Sequence, residues 1–168
     1  MNVLLAVSDR FFGDALVKFA RHHHWEENAH FKVIKAVLPA EHQPGATNED
    51  REISFQEEMK LADNLLKKLC AMLGKNKEGC DISPEVIIGS PAKVIIEYAT
   101  NWPADIIILG AHEQSNFEKL ILGSVSKYIS EHAPCSFTIV RIANDEALDL
   151  SLEEDEVLEE LGIPLASS

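Results

Sequence analysis

Short apolar runs alternate along the chain with longer stretches in which apolar residues recur every three or four positions. The runs are rich in Val and Ile, and three of them lack strict alternation, which is typical of strands covered on both faces. They are Val3–Val7, Phe31–Leu38, Glu85–Ile88, Ile106–Leu109 and Phe137–Val140. The stretches between them predict amphipathic helices. This alternation predicts an α/β fold in which helices cover both faces of a five-stranded parallel sheet, a three-layer sandwich.

Local signals place four helices between the strands. The clearest apolar stripe lies at helical spacing between Met59 and Leu73. A first helix is predicted after Gly13. A third is predicted to begin at Ser90-Pro91, with Ser90 as N-cap and proline at the first helical position. A fourth is predicted over Ser124–His132. Two connections, His42–Asp50 and Gly110–Gly123, are predicted to be loops, and the second is longer than strand-to-helix loops usually are.

The composition fits one ordinary globular domain, with 168 residues of which 46% are hydrophobic. No apolar run approaches the roughly 20 residues of a membrane-spanning helix. The run Val3–Val7 is too short for a signal peptide, so we expect a cytoplasmic protein. The net charge of -13 argues against nucleic acid and anionic membranes as partners.

Most of that charge lies in the last part of the chain. Nine Asp and Glu residues follow Asn144, and this part of the sequence has no Lys or Arg. We therefore expect a domain over residues 1–143 and an acidic extension over 144–168. Ser151–Glu154 has capping-box spacing, and Gly162 and Pro164 are stop signals, so a short helix is predicted at about 152–161. A frayed, solvated tail is the alternative.

Cysteine and histidine give no metal signal. Three cysteines without C-x-x-C spacing argue against disulfides and structural zinc and favour a reducing compartment. Cys70 and Cys135 are interpreted as small buried residues, and Cys80 as part of a polar loop. The run His22-His23-His24 is interpreted as a polar helix end, because adjacent helical residues point about 100° apart.

The start of the fourth helix has the chemistry of an anion site. Glycine at Gly123 lets a ligand approach the backbone, and the Ser124 hydroxyl lies beside the free N–H groups of Val125 and Ser126. Ligands of open α/β sheets bind beyond the carboxyl ends of the strands, where the strand order reverses. If the first and fourth strands are neighbours there, Val7–Asp9 faces the same crevice.

The segment from Ala104 to Arg141 resembles universal stress protein domains. Their nucleotide signature is G-x2-G-x9-G-[ST], and this chain has Gly110-x2-Glu113-x9-Gly123-Ser124. The resemblance is collinear from Met1 to about Ile142. It also includes the turn Gly89-Ser90-Pro91-Ala92, the strand after Ala104-Asp105 and the stretch His132-Ala133-Pro134-Cys135.

The resemblance implies a Rossmann-like domain of the adenine nucleotide alpha hydrolase type, with strand order 3-2-1-4-5. It implies binding of ATP or AMP, and a homodimer paired through the last strand, Phe137 to Val140. Ribose and phosphates would be held by Gly110, Gly123, Ser124, Val125 and Ser126. Adenine would be held by Val7, Ser8, Asp9 and Val37. His112, inside the motif loop, is a further candidate for phosphate contact, whereas His132 is interpreted as packing or capping.

Two positions depart from the family pattern. Glu113 replaces the second motif glycine, and at about 4 Å from a phosphate its repulsion is on the order of 1 to 4 kcal/mol. Lys119 and Lys127 would offset part of this, and a Mg²⁺ ion bridging Asp9 and Glu113 is an alternative. The family commonly has V-D-x-S at the end of the first strand, where this chain has Val7, Ser8, Asp9 and Arg10.

The sequence thus favours a universal stress protein that binds an adenine nucleotide and acts through protein interaction. A nucleotide-free dimeric interaction module with a protein partner at the acidic tail is the alternative. Slow ATP hydrolysis is a third interpretation, for which no catalytic base is visible. Phosphoacceptor receiver domains are disfavoured, because they need an Asp where the third strand ends in Ile88-Gly89.

Overall fold

The computed structural model describes residues 1–75, 79–112 and 123–142. Strands and helices alternate along the chain as the hydrophobic pattern predicts. The strands are β1 (Asn2–Ala6), β2 (His30–Val37), β3 (Asp81–Ile88), β4 (Ile106–His112) and β5 (Ser136–Ile142). The helices are α1 (Arg10–His22), α2 (Asn48–Gly74), α3 (Pro91–Asn101) and α4 (Ser124–His132), with a 3-10 turn at Ala40–His42.

All five strands are parallel and lie in the order β3-β2-β1-β4-β5. This confirms the predicted order and the predicted contact of the first and fourth strands. The order reverses at β1, where Leu5 pairs with Val33 of β2 on one side and Ile108 of β4 on the other. The carboxyl ends of β1 and β4 therefore lie side by side.

Each face of the sheet carries its own apolar core. Leu5 and Leu16 belong to the core under α1 and α2, whereas Leu4 and Ile129 belong to the core under α3 and α4. Neighbouring residues of β1 thus point to opposite faces, and both are fully buried. This two-sided burial explains why the strands appear as continuous apolar runs.

The helix starts are fixed by local chemistry. Asp9 caps α1 by accepting a hydrogen bond from Phe12 N at 3.0 Å. The longest helix, α2, begins with a complete capping box between Thr47 and Asp50, so the helix starts inside the predicted loop His42–Asp50. Ser90 occupies the predicted N-cap position of α3, but its side chain makes no capping hydrogen bond.

Three sequence predictions need correction. The third strand begins at Asp81 rather than Glu85, and it carries Pro84, which an edge strand tolerates. The fourth strand continues past Gly110 to His112. The cysteines Cys70, Cys80 and Cys135 are all half-buried and pack against the apolar cores, including Cys80, which was expected in a polar loop. Burial raises the pKa of the Cys70 thiol to about 12, so this thiol is unreactive at neutral pH.

One other prediction agrees with the structure. Helix α1 ends at His22, so the histidine run lies at a helix end. The carboxylate of Asp105 accepts a hydrogen bond from Asn2 N at 2.6 Å, a structural role. Glu113, Lys119 and the extension over 144–168, with its predicted helix at 152–161, lie outside the described residues.

Candidate functional site

A cleft of about 300 Å³ opens where the strand order reverses. Its floor is formed by the carboxyl ends of β1, β2 and β4, and its walls by the first turns of α3 and α4, with one residue of α2. This is the place at which open α/β sheets bind ligands. The lining residues are Ala6, Val7, Ser8, Ile34, Lys35, Ala36, Leu38, Glu58, Pro91, Ile95, Leu109, Gly110, Val125 and Ser126.

The three residues that follow β1 have two different roles, because some line the cleft and one caps α1. Val7 and Ser8, two of the residues predicted to hold adenine, line the cleft. Asp9 is not among the lining residues. One oxygen of its carboxylate caps α1, and the other accepts a hydrogen bond from Ser8 Oγ at 3.2 Å. The Asp9 side chain therefore stabilises the start of α1.

At the end of β2 both neighbours of the predicted adenine contact line the cleft. Val37 was expected beside the adenine, but its side chain is fully buried. Ala36 and Leu38, its two neighbours, line the cleft instead. Successive residues of a strand face opposite sides, so a shift by one position exchanges the inner and outer faces.

The start of α4 supplies the hydrogen-bond donors of the site. Val125 and Ser126 line the cleft, and Ser126 is buried although it is polar. The first N–H groups of a helix have no partner within it, and the helix dipole makes this end positive. Gly123 is the N-cap, and Gly123 and Ser124 are exposed beside the cleft rather than lining it. The arrangement suits an anion at this end of the cleft.

The two motif glycines of the described chain have different surroundings. At Gly123 an added Cβ would meet no described atom within 4 Å. At Gly110 an added Cβ would lie 2.2 Å from Cδ1 of Phe12, which is far inside contact distance. Gly110 also lines the cleft, but its lack of a side chain is already required by the packing of Phe12 from α1.

Two histidines were considered for phosphate contact. His112 is the last residue of β4 and pairs with Ile142, and its side chain lies outside the description. His132 ends α4, where its ring stacks on Tyr128 with centroids 4.0 Å apart and its Nδ1 lies 2.9 Å from the Tyr128 carbonyl oxygen. His132 thus packs and caps, as the sequence suggests.

Sequence reasoning missed the charged residues of the cleft. Lys35 lines it from β2, and its Nζ donates a hydrogen bond to the Ser8 carbonyl. Glu58 lines it from α2 and is half-buried. A lysine inside an apolar strand was a usable signal. Glu58 gave none, because it is one acid among many on the polar side of a long helix.

The described residues contain no group of three or more His, Cys, Asp or Glu side chains arranged to hold a metal ion. Within the described part of the chain, no helix is long and apolar enough to cross a membrane. The cleft has the features of a small-molecule binding site, namely an apolar floor, a few polar groups and the hydrogen-bond donors of one helix start.

Comparison with known proteins gives a consistent result. The model of the universal stress protein family matches residues 1–141. Universal stress protein Sll1388 of Synechocystis is 30% identical over 87 residues, which are 52% of this chain and 55% of the relative. The matched part thus spans about half the length of that relative.

Solved structures share the fold. UspA from Lactobacillus plantarum has a TM-score of 0.64 at 24% identity, covering 84% of this chain and 97% of that one. A universal stress protein family protein from Arabidopsis thaliana with AMP bound has a TM-score of 0.60 at 16% identity, covering 87% and 94%. Other universal stress proteins with this fold were solved in complex with cAMP and with dAMP.

Proposed function

The chain belongs to the universal stress protein family, and we propose that it is a cytoplasmic regulator that binds ATP or AMP in the cleft and acts through protein interaction. The observation that carries the proposal is the position of the cleft. It lies at the strand-order reversal and places the N–H groups of α4 beside an apolar floor. AMP, dAMP and cAMP in solved members of the family support an adenine nucleotide as the ligand.

In this proposal the base lies on the apolar floor at Val7 and Ala36, and the phosphates lie at the start of α4. Val125 and Ser126 donate backbone N–H groups, while Gly123 lets the phosphate approach closely. The roles predicted for Ser8, Gly110 and Ser124 fit this orientation, since Ser8 and Gly110 line the cleft and Ser124 stands at its rim. Asp9 acts indirectly, by fixing α1.

The direct test is to purify the protein without added nucleotide, denature it and chromatograph what is released. ATP and AMP are then titrated by calorimetry, with and without Mg²⁺. Stoichiometric release or micromolar binding supports the proposal. No release and no binding at millimolar ATP would refute it and favour the nucleotide-free interaction module.

A variant of the motif tests the effect of Glu113. Glu113→Gly restores the family glycine and removes a negative charge from the phosphate loop. Carboxylate–phosphate repulsion of the size given above corresponds to a gain in affinity of about fivefold or more. Glu27→Gly, in an exposed turn, removes the same charge away from the cleft and is the control. Equal affinity of Glu113→Gly and the unaltered protein would show that Glu113 does not face the ligand.

We also propose a homodimer formed through β5. This strand is at one edge of the described sheet, with β4 as its neighbour on the other side. An edge strand presents unpaired N–H and C=O groups, and Phe137 on it is 37% exposed. Phe137→Lys should convert dimer to monomer in sedimentation, whereas Leu61→Lys, which removes an exposed apolar residue of α2, should not. A monomeric unaltered protein at micromolar concentration would refute the dimer.

The acidic extension after Asn144 is proposed to contact a protein partner. Its nine acids favour a basic surface on that partner. Deleting residues after Asn144 should abolish partner capture and leave nucleotide binding unchanged. Capture that survives the deletion would assign the interaction to the folded domain.

A further inference from the structure

One residue of the cleft is not explained by phosphate binding, because it is an acid. Glu58 of α2 lines the cleft, and its carboxylate is negative where a phosphate site would need positive charge. It is the single acid among the described lining residues, and it is half-buried. A carboxylate at this place repels phosphate and accepts hydrogen bonds, so it suits a donor group of the ligand.

Glu58 is held in place by Gln43. The Gln43 Nε2 donates to Glu58 Oε2 at 2.6 Å and to the Leu38 carbonyl at 2.9 Å. Through this amide, Glu58 is fixed beside the residue that follows β2. A carboxylate has two oxygens, so Oε1 is still able to accept a hydrogen bond from a ligand.

Glu58 and the start of α4 reach the cleft from opposite faces of the sheet, because α2 packs in the core on one face and Val125 of α4 packs in the core on the other. Through Gln43, Glu58 is also tied to Leu38, which follows β2, whereas α4 follows β4. The carboxyl ends of β2 and β4 are separated by roughly 10 Å, because β1 lies between them and adjacent strands are about 4.8 Å apart. A nucleotide whose phosphate is at α4 therefore extends its base toward Ala36, Leu38 and Glu58.

We propose that Glu58, positioned by Gln43, accepts a hydrogen bond from the exocyclic amino group of the base and so selects an amino-substituted purine. The inference rests on the proposed function. Buried polar groups discriminate strongly against ligands that leave them unpaired. Glu58 is thus a specificity-determining residue of the cleft, and Gln43 is its positioning residue.

The test compares AMP with purine riboside 5′-monophosphate, which lacks only the amino group. In the unaltered protein AMP should bind more tightly by about tenfold or more, the range of a hydrogen bond to a charged group. In Glu58→Gln the amide oxygen must turn to Gln43, whose Nε2 is a donor. The new NH₂ then faces the base, so AMP affinity should fall while that of the analogue changes little.

Glu57→Gln is the matched control, because it removes the same charge at the neighbouring exposed position of α2. It should leave the ratio of the two affinities unchanged, and Gln43→Ala should lower the ratio as Glu58→Gln does. A merely structural role of Glu58 would weaken both nucleotides alike, and that result would overturn the inference. Equal affinities in the unaltered protein would also overturn it while leaving the proposed function intact. Absence of any nucleotide binding would overturn both.

Discussion

Gly110 of β4 and Phe12 of α1 are packed so closely that a Cβ on Gly110 would lie 2.2 Å from Cδ1 of Phe12. The contact joins the strand that floors the cleft to the helix that follows β1. Asp9, which caps this helix, accepts its hydrogen bond from the backbone N–H of Phe12 itself. The first residue of the nucleotide signature thus helps to fix the position of α1 as well as lining the cleft.

Gly110→Ala should therefore destabilise the protein before any ligand is considered. The Cβ forces Phe12 or the backbone to move, and overpacking of this kind costs about 1–3 kcal/mol in the free energy of unfolding. Urea unfolding of the nucleotide-free protein measures it. Phe12→Leu should recover part of the loss in the double variant, since it shortens the side chain in the way. Strictly additive losses would show that the two residues do not compete for this space.

Substitution of Gly123 should lower the affinity for the ligand and leave the stability of the protein nearly unchanged. It is the N-cap of α4 with an ordinary φ of -61°, and an added Cβ would meet no described atom within 4 Å. Thr is about as good an N-cap as Gly, so Gly123→Thr should leave the urea midpoint almost unchanged. It should weaken AMP by about tenfold or more, because the side chain occupies the space from which a phosphate reaches the N–H groups. Unchanged AMP affinity would contradict the placement of phosphate at α4.

Two substitutions of Asp9 distinguish a capping role of its carboxylate from a role in binding the ligand. Asp9→Ala removes the cap of α1 and should cost about 1 kcal/mol in the free energy of unfolding. Asp9→Ser keeps a capping oxygen, so it should restore most of that stability and bind AMP like the unaltered protein. A large loss of AMP affinity in the stable Asp9→Ser variant would instead assign the carboxylate to the ligand.

The fold was predictable because its signals are local and repeated. Buried parallel strands leave continuous apolar runs, and the helix between Met59 and Leu73 has a clear stripe. The extent of β3 was not predictable, because Pro84 interrupts its run and is tolerated only since the strand lies at an edge. The start of α2 was missed for a different reason: its Thr47–Asp50 capping box lies among loop-forming residues.

The lining of the cleft was predictable where a motif fixes position, as at Gly110, Val125 and Ser126. The lining was not predictable where it depends on which face of a strand points into the cleft. Val37 and Ala36 are both apolar, and only the side of the sheet that each of them faces decides which one lines the cleft. Glu58 comes from a helix that no motif marks, and it reaches the site through a tertiary contact with Gln43.

The capping box of α2 predicts a specific dependence of stability on pH. Asp50 Oδ2 accepts a hydrogen bond from Thr47 N at 3.0 Å, and Asp50 N donates to Thr47 Oγ1 at 3.0 Å. Hydrogen bonds with Thr47, first through its side chain and then through its backbone, lower the pKa of Asp50 below its ordinary value. The unfolded chain thus binds the proton more readily than the folded one. The contribution of Asp50 is complete above the unfolded pKa of about 4 and is lost as pH falls through the folded pKa.

Asp50→Ala should therefore be less stable than the unaltered protein at pH 7, and the difference should shrink toward pH 3. Urea unfolding of both proteins at several pH values measures this difference. Glu49→Ala removes an equal charge from the same helical turn and controls for the interaction with the helix dipole. Because Asp50 also bonds to the Thr47 backbone, its substitution should cost more at neutral pH than that of Glu49. A difference between Asp50→Ala and the unaltered protein that stays constant from pH 7 to pH 3 would mean that the ionised carboxylate does not stabilise this helix start.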